Sequence, residues 1–545
     1  MTGARSGPGG LFSSRYGTML AMVGMAVGTG NIWRFPREAA SNGGGEFLVA
    51  WVVFLLLWSV PLIMVEFALG KETRKGPVGA VAEVAGGSYA WMGAWIAFVA
   101  TAIMFYYSVV MGWTVRYLWG SLVNGADALL GLGGLASALG GAVPMASREA
   151  ATSFWESYVG SGAAVATHGV AMGLGVAVVA RGVEGIERAV RVLLPALLVL
   201  VVVLAVRAVT LPGASRGLEF LFSPDWAGLA DPELWLRALS QNAWDTGAGW
   251  GLIVAYAVYL REREDTALNS FLLGFGNNSV SLLAGIMVLC TVFAVVPAPA
   301  DEIAADLGAA GNEGLTFMWI PQLFGEIPLG SVFMILFFGA LMAAAWSSLI
   351  SMIELASRVL VDAGVRRKRA VAVVGAVGFV LGLPSALSIE VFRNQDWVWG
   401  VGLLVSGLFF AVAVLRYGVD EFRERFVNAA GSDIAIGRWW NGAIVLVTVL
   451  AAVLVGWWLW QAVDPADPAA TLTPFSTFNV GTVVVQWTLA VGAFLFLNRR
   501  LARLARAGAG GTGEGDEAEG DEADAPPGPG VGAGPTPGRP GGGTD

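Results

Sequence analysis

The chain has 545 residues, 56% of them hydrophobic and only 13% charged, with 22 tryptophans and a mean hydropathy of +0.67. A soluble fold of this length cannot hide so much apolar surface, so the composition points to a membrane protein crossing the bilayer many times. The single cysteine, Cys290, and single histidine, His168, exclude a disulfide framework and a cysteine metal centre, and His168 reads as a helix-lining residue. The net charge of −9 comes largely from loops and tail, and lysine occurs only at 71, 75 and 368, an acidic solubility signature like that of proteins from salt-loving organisms.

A window of about 19 residues gives twelve apolar spans. In chain order they are Tyr16 to Ala40, Phe47 to Gly70, Trp91 to Leu118, Ala163 to Ala180, Val192 to Val209, Trp235 to Leu260, Asn269 to Val296, Ser331 to Val361, Ala370 to Leu387, Trp397 to Leu415, Trp440 to Ala462 and Gly481 to Leu497. The first run is too long and too glycine-rich for a cleavable signal peptide. Basic residues, among them Lys71, Arg74, Arg181, Arg191, Arg261, Arg366, Arg423 and Arg499, cluster after the even-numbered spans, which predicts cytoplasmic N and C termini in the plasma membrane. The opposite loops are longer and mostly acidic or neutral, as at Asp301, Glu302 and Asp306. From Ala507 onward the chain is rich in Gly, Pro, Asp and Glu and reads as a disordered cytoplasmic tail, residues 507–545.

Spans one and six break the rule for membrane helices. Residues 24–31 (GMAVGTGN) and 245–251 (DTGAGWG) set glycine clusters and polar side chains in the middle of apolar runs. Irregular backbone survives at that depth only where it lines a protein cavity, and the exposed helix ends there suit an ion or solute. Carbonyls around Gly24 to Val27 suit a hard cation, and the amides of Thr29 and Gly30 suit a carboxylate. A bare hinge would not explain Asn31 and Arg34 in the same segment. The breaks are five spans apart, as a duplicated, inverted repeat requires: an N-terminal segment 1–15, a first repeat 16–209, a second repeat 235–416, and two further helices in 440–497. The fold class is therefore all-α, with twelve transmembrane helices.

The string LAMVGMAVGTGNIWRFPREAASNGGGEF from Leu20 resembles the opening of the neurotransmitter:sodium symporter family, whose fold is of the LeuT type. The resemblance runs through PLIMVEFALG at Pro61, FYYS at Phe105, RGVEGIERAVRVLLPAL at Arg181, LEFLFSPDW at Leu218, the break in span six, SSLISMIE at Ser347 and QDW at Gln395. It implies two sodium ions. One would be held by Ala26, Asn31, Asn277, the position of Asp245 and the substrate carboxylate itself; the other by Gly24, Val27, Ala344, Ser347 and Ser348. Gly28 stands where monoamine carriers place an aspartate, which implies an amino-acid substrate. Tyr107 would meet its carboxylate, while Tyr106 can pack against lipid or a neighbouring helix.

The remaining pocket residues implied are Met25, Thr29, Gly30, Ile103, Trp244, Gly247, Trp250, Ser348 and Met352. Two indoles at 244 and 250 should shrink the cavity, with Gly247 and Ala248 returning space, so an apolar or small neutral amino acid is expected. Asp245 departs from the family, which carries a hydroxyl there. A carboxylate at mid-membrane costs about 2.5 to 3.5 kcal/mol and needs a cation or a proton, so sodium ligation or charge compensation is favoured over pure capping of the second half-helix, and the roles can coexist. Ser281, the possible anion site, taken alone predicts chloride dependence; Asp245 beside it predicts independence, the reading favoured here.

Arg34 and Asp396, with Gln241 nearby, match an outer gate. Asp362 matches an inner gating aspartate whose usual arginine partner is replaced by Gly9, leaving Arg5 to reach it. Glu66 matches a residue that holds the unwound part of span one, and Glu354 has no partner evident from sequence. The function implied is sodium-coupled import of an amino acid by alternating access, without enzymatic chemistry or nucleic-acid binding; a non-transporting, sodium-dependent amino-acid receptor is the alternative.

Overall fold

The computed structural model describes residues 11–130, 142–261, 263–429, 432–463, 470–474 and 476–507, and everything below concerns these. Ten uninterrupted helices among them are long and apolar enough to cross a bilayer: Gly45–Thr73, Gly87–Ala128, Gly162–Val179, Gly182–Val209, Thr266–Val295, Gly330–Asp362, Arg367–Leu387, Ile389–Tyr417, Trp439–Gln461 and Val480–Ala505. Spans one and six complete the twelve, each as two half-helices. Span one runs as Arg15–Ala26 and Phe35–Ser41 around a break, and span six as Pro232–Asp245 and Leu252–Ala257. The predicted tail beyond Ala507 and the positions of Arg5 and Gly9 lie outside the described residues.

Several spans start earlier than hydropathy implies. Span five begins at Gly182, because its charged first turns stay helical through the pairs Arg188–Glu184 and Arg191–Glu187, which sit four residues apart outside the apolar window. Span ten likewise begins at Ile389, capped by Ser388, whose hydroxyl accepts from Val391 N. Short helices Arg148–Tyr158 and Ala300–Gly314, the latter kinked at Gly311, lie between spans three and four and between spans seven and eight.

Three helices widen into a π turn immediately before a proline: Gly30–Arg34 before Pro36, Leu55–Ser59 before Pro61, and Leu315–Trp319 before Pro321. Proline lacks the N–H and crowds the carbonyl four residues back, so the chain there takes the wider turn. In span two this presents Ser59 to span six, where Thr246 Oγ donates to Ser59 Oγ at 3.0 Å.

Spans three and eight form the centre and pack on each other more extensively than any other pair. Within its apolar window span three is 83% buried, whereas spans eleven and twelve, at 28% and 22%, lie at the periphery. Val192, Val199 and Val206 of span five, and Leu489 and Phe496 of span twelve, stand exposed along helix faces, the arrangement expected of lipid contact. His168 stacks on Phe379, with Nε2 3.0 Å from the Phe379 carbonyl, and Cys290 is a buried free thiol.

Candidate substrate and ion site

The break in span one begins where Val27 turns extended, with ψ 105°, after its amide closes the last helical bond to Val23 O at 2.8 Å. The next amides find side chains instead of carbonyls. Gly28 N donates to Asn31 Oδ1 at 2.7 Å, and Thr29 N and Thr29 Oγ donate to Tyr107 Oη at 3.2 and 3.3 Å. These bonds settle groups that a membrane interior cannot solvate.

The break in span six is held from span two. Glu66, fully buried, accepts from Gly249 N at 2.6 Å and lies against the amides of Gly251, Ile253 and Val254 at the start of the second half-helix. The expectation that Glu66 holds span one is thus corrected: its carboxylate serves span six, where a helix N-terminus attracts negative charge.

Between the breaks lies a cavity of about 80 Å³. Its wall contains every residue expected to meet substrate: Met25, Ala26, Gly28, Thr29, Gly30, Ile103, Tyr107, Trp244, Asp245, Gly247, Trp250, Ser348 and Met352. Sequence reasoning missed Trp33, Val110, Leu252, Asn312 and Phe392, which also line it. Tyr106 lines it too, and is buried against Phe392 rather than facing lipid, because the central helix has neighbours on nearly every side.

One polar cluster borders this cavity. Asn31 Nδ2 donates to Ser281 Oγ at 2.7 Å and Asn277 Oδ1 at 3.0 Å, and Ser281 Oγ donates to Asp245 Oδ2 at 2.5 Å. Asp245 Oδ1 is buried without a hydrogen bond of good geometry, the Gln241 and Asn277 side chains standing close to the carboxylate, and a methyl group placed on Gly30 would lie 3.3 Å from it. Ala26 lies opposite, 3.6 Å from where a Cβ on Gly247 would be. An orphaned carboxylate oxygen amid amide and hydroxyl oxygens fits a hard cation. Asn31 Oδ1 accepts from the Gly28 amide and, with its second lone pair, can still face an ion.

A second group of oxygens lies between spans one and eight. Ser348 Oγ stands 3.4 Å from both Met25 O and Val27 O, Ser347 Oγ donates to Ala344 O at 3.0 Å, and a methyl on Gly24 would lie 3.8 Å from Ser347 Cβ.

Arg34, Gln241 and Asp396 also border the cavity, but Arg34 and Asp396 do not form the expected ion pair. Arg34 instead reaches Glu38, four residues along its own span, with Nε 3.8 Å from Oε1, and its guanidinium lies 4.6 Å from the Trp244 ring centre. A partner on the same helix is within reach without the neighbouring spans closing over the cavity. Gln241 has both side-chain polar atoms buried without partners.

At the end of span eight, Asp362 pairs with Arg358 at 2.7 Å and accepts from Gly76 N at 2.7 Å. Glu354, unplaced from sequence, accepts from Tyr259 Oη at 2.6 Å and from Arg367 at 2.5 and 3.0 Å. Phe12 is buried edge-on against Tyr256 and Tyr259, packing the N-terminal segment under the site.

Residues 10–126 and 162–501 match the sequence profile of the sodium:neurotransmitter symporter family. The chain belongs to that family. It is 31% identical over 467 residues to an uncharacterized sodium-dependent transporter of Methanocaldococcus jannaschii, spanning 81% of this chain and 89% of the relative. A sodium-dependent transporter of Bacillus subtilis, also uncharacterized, is 31% identical over 462 residues, 82% of this chain and 96% of its own. Among solved structures, MhsT in complex with L-phenylalanine matches with a TM-score of 0.68 at 28% identity, covering 82% of this chain and 98% of MhsT. This symporter-family chain is therefore a multi-pass, sodium-dependent transport protein of LeuT-type fold, and not an enzyme.

Proposed function

We propose that the protein is a plasma-membrane symporter that imports an apolar or small neutral amino acid by alternating access, driven by two sodium ions. The observation that carries this reading is the free Asp245 oxygen, buried in the cavity wall beside Asn31, Asn277 and the amide end at Thr29 and Gly30. A cation at Asp245 and a substrate carboxylate at the Gly30 amide and the Tyr107 hydroxyl would be neighbours, each stabilising the other's bound state by the same factor. Gly28 favours that pose, since a methyl there would lie 2.8 Å from Ser348 Oγ and 3.1 Å from Tyr107 Oη, in the space a carboxylate needs. The apolar groups Met25, Ile103, Trp250 and Met352 suit an uncharged side chain. The phenylalanine bound to the related MhsT supports an amino-acid cargo.

Ser281, the serine at the possible anion site, donates directly to Asp245, so the chain carries its own negative charge there, and transport independent of chloride follows. The repeats are assigned to residues 16–209 and 235–416, with both termini cytoplasmic. The test is a thermal-shift screen of amino acids in sodium and potassium buffers, followed by uptake into vesicles. One amino acid should raise the melting temperature only with sodium, by the mass-action term for a ligand of the folded state, and should accumulate. Binding without accumulation would identify a receptor; no sodium-dependent ligand would reject the proposal.

A further inference from the structure

Two indoles border the cavity, and they are held differently. Trp250 Nε1 donates to Ala243 O at 3.3 Å, which pins that ring to span six itself. Among the described residues the Trp244 indole has no hydrogen bond and is placed by packing and by the Arg34 guanidinium over its face. Its six-membered ring rests on span ten at Gly400: a Cβ built there would lie 1.8 Å from Cζ2 and 2.0 Å from Cη2. Carbon atoms in contact stand about 3.5–4.0 Å apart, so no residue with a side chain can occupy position 400 while the ring stays where it is.

We propose that Gly400 is a specificity-determining residue: it provides the seat that keeps the Trp244 ring out of the substrate cavity and so sets the largest side chain the cavity admits. The ring's other neighbours are the Arg34 guanidinium, 4.6 Å from the ring centre, and Trp250, edge-on at 6.5 Å. The ring lines the cavity, and span ten closes the side at Gly400, so a ring pushed off span ten moves towards the cavity. The contact also continues along span ten. Seven residues on, Gly407 receives the unwound backbone of span six so closely that a Cβ on Gly249 would lie 3.1 Å from Gly407 Cα. Seven residues is two helical turns, which puts both approaches on one face. The residue acts through Trp244 and does not itself touch the cargo.

This inference rests on the amino-acid reading above, and the experiment separates the two. Sodium-dependent binding and vesicle uptake of alanine, leucine, phenylalanine and tryptophan are measured for the full-length wild type, Gly400→Ala, and the double variant Gly400→Ala with Trp244→Phe. One methylene in an apolar pocket changes discrimination about 10- to 200-fold, so Gly400→Ala should lower the ratio of the largest accepted substrate to alanine by at least about 10-fold. The double variant, with a smaller ring, should return the ratio to within about threefold of wild type, which a general packing defect would not do. An unchanged ratio in Gly400→Ala overturns the proposal, as does a double variant that folds and binds alanine but fails to recover. A wild type that binds none of the four overturns the amino-acid reading and this inference with it.

Discussion

In span six, Gly247, Gly249 and Gly251 all have left-handed backbone, with φ of 72°, 91° and 77°; in span one, Gly24, Gly28 and Gly30 do not. The glycines of span six make the backbone path possible, while those of span one make room. At Gly28 the missing Cβ leaves space beside Ser348 and Tyr107, and at Gly30 beside Asp245. The support differs in the same sense. Span six is held from span two, by the buried carboxylate of Glu66 and the hydroxyl of Ser59, whereas span one is held by Asn31 and Tyr107, groups that also face the cavity. One break is mainly architecture and the other mainly binding surface, although the sequence presents both as similar glycine clusters.

Gly249→Ala should test the architectural side with the largest effect on stability. An L-residue in left-handed backbone costs about 1–2 kcal/mol, and forcing a methyl against Gly407 adds about 1–3 kcal/mol. The melting temperature should fall equally in sodium and potassium buffers; a drop confined to sodium would show that this break, too, is chiefly a binding element.

Gly28→Ala should do the reverse. The backbone at 28 carries no left-handed strain, so apo stability in potassium should stay close to wild type, while the methyl enters the space between Ser348 and Tyr107. Substrate uptake should fall about 100-fold, the order of loss that a 1 Å misplacement at a reacting or binding centre produces. Normal uptake with lowered stability would reverse the roles assigned to the two breaks.

Much of this was legible before any coordinates. Spans of about 20 apolar residues follow from bilayer thickness, and glycine with Asn or Asp at mid-span follows from the cost of unsolvated backbone, so the twelve spans and both breaks could be read directly. Contacts between distant helices could not. Glu66 and Gly249 are 183 residues apart, and no local pattern says which break a buried acid serves. Glu354 acquires its partners Tyr259 and Arg367 in the same way. Tyr106 was open to a lipid reading because adjacent helical residues point about 100° apart, and only the packing around span three buries both tyrosines. A lone glycine such as Gly400, in an apolar span that contains several, gives no signal until the ring it accommodates is placed.

Asp245 sits at the seam between the two breaks, the last residue of the first half-helix of span six and the neighbour of Gly30 in span one, and it gives the smallest predicted effect. Asp245→Asn keeps the shape and an acceptor for Ser281 but removes the charge. Hydrogen bonds with an ionised partner are about twice as strong as neutral ones, and the unpartnered Oδ1 loses its attraction for a cation. Apparent sodium affinity should fall about 10-fold, the ratio set by the roughly 1–1.5 kcal/mol by which a charged hydrogen bond exceeds a neutral one. Since Ser281 would then face no fixed negative charge, uptake by the variant should become sensitive to replacing chloride with gluconate, while wild type should not. If Asp245 only caps its half-helix, sodium affinity and chloride response will both stay at wild-type values, and the cation must be held by the amide and hydroxyl oxygens of span one and span seven alone.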